Sequence, residues 1–148
     1  LKTIRSSVAI LLSLVALGQG LAQSQQRGET IYKTFFNPKP VRAMDSAPSS
    51  YRVSGQEYLR LKKDSTDLYT GIRLLQANQP KKALPYLKRA AEHMQHTVIN
   101  ASEWYLALAL LALKKIPEAQ YLFHKIAETE THPYQDEAEI VYQRLVKK

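Results

Sequence analysis

With 148 residues and a 45% hydrophobic fraction, the chain has room for one compact domain plus a tail and enough apolar material for a core. It contains no cysteine, which excludes a disulfide framework, a thiolate metal site, a cysteine nucleophile and lipidation through a thiol. The formal net charge of +8 is unevenly spread: residues 23–63 hold eight Lys/Arg against three Asp/Glu, whereas residues 64–148 hold eleven against ten.

The first segment reads as an export signal. Lys2 and Arg5 form a short basic region, and Val8–Leu17 is an apolar run broken only by Ser13. Gly20 and Ala22 then supply small residues where a signal peptidase reads, which predicts cleavage before Gln23 and a periplasmic or secreted protein. The alternative is an uncleaved anchor in the inner membrane. A spanning helix wants about 20 apolar residues, a length this segment reaches only if Gly18–Ala22 are counted. Residues 1–22 are therefore assigned to a signal peptide or N-terminal anchor.

Residues 23–53 read as a flexible basic linker. Gln23–Thr30 is polar and is expected to be disordered. Ile31–Phe36 is a short apolar, aromatic patch, and the prolines of Asn37-Pro38-Lys39-Pro40 stop any helix and extend the chain. Residues 41–53 are rich in Ser, Ala and Pro. The positive charges here are dispersed, as in a solubilising linker, and export removes nucleic acid as a routine partner.

Residues 54–148 carry helical periodicity throughout. Ser54 is a candidate cap for a helix over 55–77, with Leu61, Leu68, Ile72 and Leu75 on one stripe. Asn78-Gln79-Pro80 ends it. A second helix over 81–95 shows the stripe Ala83, Leu84, Leu87, Ala90, Ala91, Met94, with Pro85 near its first turn, where a missing donor costs little. A third helix is expected to begin near Asn100, whose spacing to Glu103 suits a reciprocal cap. Its stretch Trp104–Leu113 is almost continuously apolar. Pro117 opens a fourth helix with Ala119, Leu122, Phe123 and Ile126 inward. Pro133 opens a last one, with Tyr134, Ala138, Val141 and Leu145 on one face and Asp136, Glu137, Glu139 and Arg144 opposite.

Two of these stretches repeat each other at an offset of 36 residues. Gly71 corresponds to Ala107, Leu74 to Leu110, Ala83 to Ala119 and Leu87 to Phe123. A fixed period in this range marks helical hairpins that bury their apolar faces against one another. The small–small–large pattern of Gly71, Ala83 and Leu87, and of Ala107, Ala119 and Phe123, resembles the tetratricopeptide repeat family. The stretch from Glu103-Trp104-Tyr105 through His132-Pro133-Tyr134, with Phe35-Phe36-Asn37-Pro38 upstream, resembles small exported tetratricopeptide proteins of the Bacteroidetes type. The offset is longer than that family's usual period of about 34, and Ile126 stands where the family has a small residue.

The resemblance implies an all-α fold: a short tetratricopeptide-like stack of antiparallel helix hairpins, an α-solenoid, closed by a C-terminal capping helix. It implies a non-catalytic adaptor or assembly subunit of the bacterial cell envelope. In the family the first helix of each hairpin lines a concave groove, which here assigns Leu68, Ile72, Leu75, Trp104, Leu108 and Leu111 to a candidate partner groove. An apolar patch of that size is rarely left bare. Its occupant is either a segment of another envelope protein or, in cis, the Ile31–Phe36 segment or the helix near Tyr58-Leu59. The rival readings are a membrane-tethered module using an uncleaved anchor and the basic arm, and a homo-oligomer built through the open end of the stack.

The remaining chemistry is sparse. His93 and His96, beside Glu92, have helical spacing suited to a metal, but no third ligand is evident and they read as surface histidines. No Gly-rich phosphate loop, nucleophile elbow or zinc-protease motif occurs, so neither enzyme activity nor a cofactor is expected. Trp104, Tyr105, Tyr86, Tyr121 and Tyr142 read mainly as core aromatics rather than recognition residues.

Overall fold

The computed structural model describes residues 2–38, 55–92 and 96–147. Those residues form six helices and no strand: α1 Lys2–Phe35, α2 Gly55–Gln76, α3 Pro80–Glu92, α4 His96–Ala112, α5 Ile116–Ala127 and α6 Gln135–Val146. Helices α2 to α6 each pack on the next in sequence; α2 also packs on α4, and α1 lies against α4, α5 and α6.

The two hairpins α2–α3 and α4–α5 are built alike, bond for bond. Helix α2 ends with Asn78 N–H donating to the Leu75 carbonyl and Gln79 N–H to the Leu74 carbonyl. Helix α4 ends with Lys114 N–H on the Leu111 carbonyl and Lys115 N–H on the Leu110 carbonyl. Every donor and acceptor of the second turn lies 36 residues after its counterpart. Asn78 and Lys114 both hold left-handed backbone, at φ 56° and 59°. This is the usual way a helix satisfies its last carbonyls while reversing direction. Helices α3 and α5 then start 36 residues apart, at Pro80 and Ile116.

Side chains lock each hairpin. Asp67 of α2, largely buried, accepts a forked pair of bonds from Arg89 of α3 at 2.9 and 3.0 Å. The Arg89 guanidinium also lies over the Tyr86 ring, 4.7 Å from its centroid. At Gly71 a Cβ would fall 2.5 Å from Leu87 Cδ2, so the missing side chain sets how closely α2 and α3 approach. In the second hairpin Glu103 of α4 accepts from Lys125 of α5 at 2.7 Å, and Trp104 meets Phe123 edge-on. Helix α6 continues the alternation: His124 stacks on Tyr142, and Gln120 donates to the Leu145 carbonyl.

Three expectations are corrected. Asn100 does not cap a helix; α4 begins at His96, and Asn100 lies inside it. Pro133 sits in the turn before α6, two residues ahead of its first helical residue, with Tyr134 at the cap. Gln23–Thr30 is not irregular but part of α1. Polarity alone suggested disorder, but Gly28 is buried against α5, where a Cβ would be 2.5 Å from Ile116 Cδ1, and tertiary contact overrides the local composition. The rest of the expected linker, residues 39–53, lies outside the described residues.

Candidate functional site

The six residues assigned to a groove come together, but not as an open surface. Leu68, Ile72 and Leu75 of α2 and Trp104, Leu108 and Leu111 of α4 belong to one core, each 3% exposed or less. Part of their cover is the end of α1. Tyr32 donates its hydroxyl to the Leu75 carbonyl at 3.4 Å, and Phe35 meets Trp104 edge-on with ring centres 6.4 Å apart. Phe36 meets Tyr105 in the same way, and the Tyr105 hydroxyl donates to the Asn37 carbonyl at 2.5 Å. Ile31 is itself 3% exposed. The Ile31–Phe36 patch thus packs in cis against part of this core, at Leu75 and Trp104. Burial raises the Tyr105 phenol well above the ordinary tyrosine range, and the Tyr32 phenol in the same direction.

Arg27, one turn before Ile31, fixes the other side of this segment. Its guanidinium donates to the carbonyls of Arg144 and Lys147, the last acceptors of α6. Such carbonyls have no partner within the helix, and a cation there also suits the helix dipole. Arg144 in turn lies over the Phe35 ring, 5.4 Å from its centroid. Gly28 and Arg27 were invisible to sequence reasoning because neither belongs to an apolar stripe.

Trp104 is the hub of an aromatic cluster. Tyr134 stacks flat on it at 4.9 Å, while Phe35 and Phe123 meet its edges and faces. Next to Tyr134 stands His132, whose side chain is 2% exposed. Its Nδ1 accepts from the Tyr134 N–H at 3.2 Å. That places the ring proton on Nε2, which has no hydrogen-bond partner among the described residues; the nearest carboxylate oxygen, Glu103 Oε2, is 3.9 Å away. Burial lowers the His132 pKa, opposed in part by the Glu103 charge.

Other sequence-singled residues fall elsewhere. His93 lies outside the described residues. Tyr105 is fully buried, whereas Tyr121 is 69% exposed and is not a core residue: it sits on the outer side of α5. There it helps line an open cleft of about 480 Å³ between α3, α4 and α5, with Leu84, Leu106, Leu110 and Leu122. Among the described residues no group of three or more metal-ligating side chains converges. In comparisons with family models, with curated proteins and with solved structures, nothing matches this chain.

Proposed function

We propose that the chain is a short tetratricopeptide-like repeat module that works without catalysis, as an adaptor or assembly subunit in the bacterial cell envelope. The observation that carries this reading is the equivalence of the two hairpins, whose turns repeat the same hydrogen bonds and the same left-handed residue at an offset of 36. Hairpins of this kind present helix faces to other chains rather than a preorganised reaction site. The partner segment binds on the α2–α4 face, and the Ile31–Phe36 patch of α1 holds that face until the partner displaces it. A cis occupant of this sort lowers apparent affinity by the fraction of molecules in which it is docked.

Crosslinking in native envelopes followed by mass spectrometry tests this. Ile31→Asp, which places a charge in a site that is now 3% exposed, loosens the occupant and is expected to raise capture of a discrete partner over the wild-type chain. Equal or lower capture by this variant, with the repeat still folded, counts against the α2–α4 face as the binding site.

A further inference from the structure

The charges of the helical body are unevenly divided between its two ends. The hairpins are antiparallel: Asp67 meets Arg89 and Gly71 meets Leu87 across α2–α3, and Glu103 meets Lys125 across α4–α5. The C-termini of α2, α4 and α6 and the N-termini of α3 and α5 therefore share one end. That end carries Arg27, Lys81, Lys82, Lys114, Lys115, Arg144 and Lys147, with the acids Glu118 and Glu29, which are bonded to Lys115 and Lys33. The opposite end carries Glu92, Glu128, Glu130, Asp136 and Glu137, with Lys63 and with Lys125, which is bonded to Glu103. The near-neutral sum over residues 64–148 conceals this separation.

Helix stability does not account for the basic end. Lys81 and Lys82 lie in the first turn of α3, which holds no acidic residue, and a positive charge there opposes the helix dipole. Lys114 occupies a left-handed position that favours Gly or Asn. All three are exposed; no carboxylate lies within ion-pair distance of them among the described residues, and Glu29 acts on Lys114 only at longer range. Together with Pro80, Ala112 and Leu113, they line a cleft of about 470 Å³ that contains no acid.

Helix α1 leaves the body at this same end. It runs antiparallel to α4, with Phe35 beside Trp104 and Gly28 beside Leu111, so the chain upstream of Gly28 projects past the C-terminus of α4. Apart from the local backbone of α1 and the adjacent residues, nothing lies within 4 Å of where a Cβ would stand on Gly18 or Gly20. At 1.5 Å per residue, the apolar run Val8–Leu17 starts about 16 Å beyond Gly28. Among the described residues no helix is long and apolar enough to cross a membrane.

We propose that this end of the body docks on an anionic lipid surface, with the Val8–Leu17 run of α1, which projects beyond that end, entering the bilayer beneath it. The contact belongs to the chain that retains α1 entire, and it is separate from the α2–α4 face proposed for a protein partner. An apolar helix and a basic patch on the same side are the two signals that stable peripheral attachment requires. A soluble acidic segment would use the lysines but leave the apolar run without a role.

The test is sedimentation of the full chain with vesicles of phosphatidylcholine alone or mixed with phosphatidylglycerol. Association is expected with the anionic vesicles only and is expected to weaken with salt. The double variant K81Q/K82Q is expected to bind about 25-fold more weakly, about fivefold per lysine, with thermal melting unchanged or slightly raised, since both charges oppose the α3 dipole. The far-end variant E128Q/E130Q is expected to shift affinity less than about twofold, although it changes net charge by the same amount, because those charges lie beyond screening range. Equal binding by K81Q/K82Q and wild type overturns the proposal. So does a gain in E128Q/E130Q matching the loss in K81Q/K82Q, which would mean bulk charge rather than an oriented face. Retention on immobilised polyglutamate, lost in K81Q/K82Q, with no vesicle association reassigns the end to an acidic protein.

Discussion

Asn78 and Lys114, 36 residues apart, hold the same left-handed backbone conformation and donate to equivalent carbonyls, of Leu75 and Leu111. Only the first is a residue that adopts this conformation readily. For Lys, the clash of Cβ with the following carbonyl costs about 1–2 kcal/mol. Lys114→Asn is therefore expected to stabilise the protein by about 0.5–1 kcal/mol, while Asn78→Lys costs a similar amount. Paired urea denaturations of the two variants check this. The same Lys114→Asn variant is expected to lose vesicle affinity, so stability and lipid binding move in opposite directions at one residue.

Gly71 is a close-packed small residue at the centre of the first hairpin. A methyl group there would stand 2.5 Å from Cδ2 and 2.6 Å from Cγ of Leu87, which is fully buried and cannot swing aside. Overpacking of this kind costs about 1–3 kcal/mol, against a gain of about 1 kcal/mol from exchanging Gly for Ala in a helix. Gly71→Ala is expected to destabilise by about 1 kcal/mol, measured by chemical denaturation. Adding Leu87→Val, which withdraws one methylene from the clash, is expected to recover part of the loss.

The repeat itself was readable because its signal is local: small residues at Gly71, Ala83, Ala107 and Ala119, and turns at Asn78-Gln79-Pro80 and Lys114-Lys115, sit at the positions where the chain reverses. The six residues assigned to the groove lie on α2 and α4 and are buried in one core. Periodicity reports which face of a helix is apolar and is silent about what covers it. Part of the cover comes from Ile31–Phe36, separated from α2 in sequence by a proline-rich stretch, and that segment is fixed through Gly28 and Arg27, residues without an apolar pattern. The start of α4 at His96 was missed because the capping spacing of Asn100 and Glu103 outcompeted a weaker helical signal upstream. The charge separation was missed because net charge was summed along the sequence rather than along the body axis.

Docking of α1 can be separated from folding of the repeat. Ile31→Ala removes a buried aliphatic side chain, a change that costs about 2–5 kcal/mol where a core cannot collapse around it. Because α1 meets the body over a limited surface, the loss is expected to appear as local release. In hydrogen exchange, amides of residues 24–36 lose protection in this variant while those of α3 and α5 keep theirs. Leu21→Ala, at a site that is 63% exposed, leaves the whole pattern unchanged. Uniform loss of protection in Ile31→Ala would instead make α1 part of a single cooperative unit with the repeat.

His132 gives the body a pH dependence with a definite sign. Its Nδ1 is occupied as an acceptor of the Tyr134 N–H, so a second proton must sit where it opposes that donor at the start of α6. Burial also disfavours the charge, and the groups facing the ring are the Glu103 carboxylate, its partner Lys125 and the Tyr134 ring. Burial and, less strongly, Lys125 act to lower the pKa, Glu103 and the Asn100 backbone to raise it, and the lowering prevails. A histidine whose folded pKa lies below the unfolded value of 6.5 contributes its full stability above that pH. As pH falls below 6.5 the unfolded chain takes up the proton first, and stability declines until the folded pKa is reached. The melting temperature of the wild-type chain is thus expected to drop between neutral pH and about pH 5. Glu29 and Glu118, both held below the ordinary carboxylate range by lysine partners or backbone bonds, act in the same direction at lower pH. His132→Gln has no proton to take up near pH 6, and its melting temperature is expected to stay flat over that interval. Parallel slopes for the two chains would mean that the decline arises elsewhere and that His132 is protonated as easily in the folded as in the unfolded state.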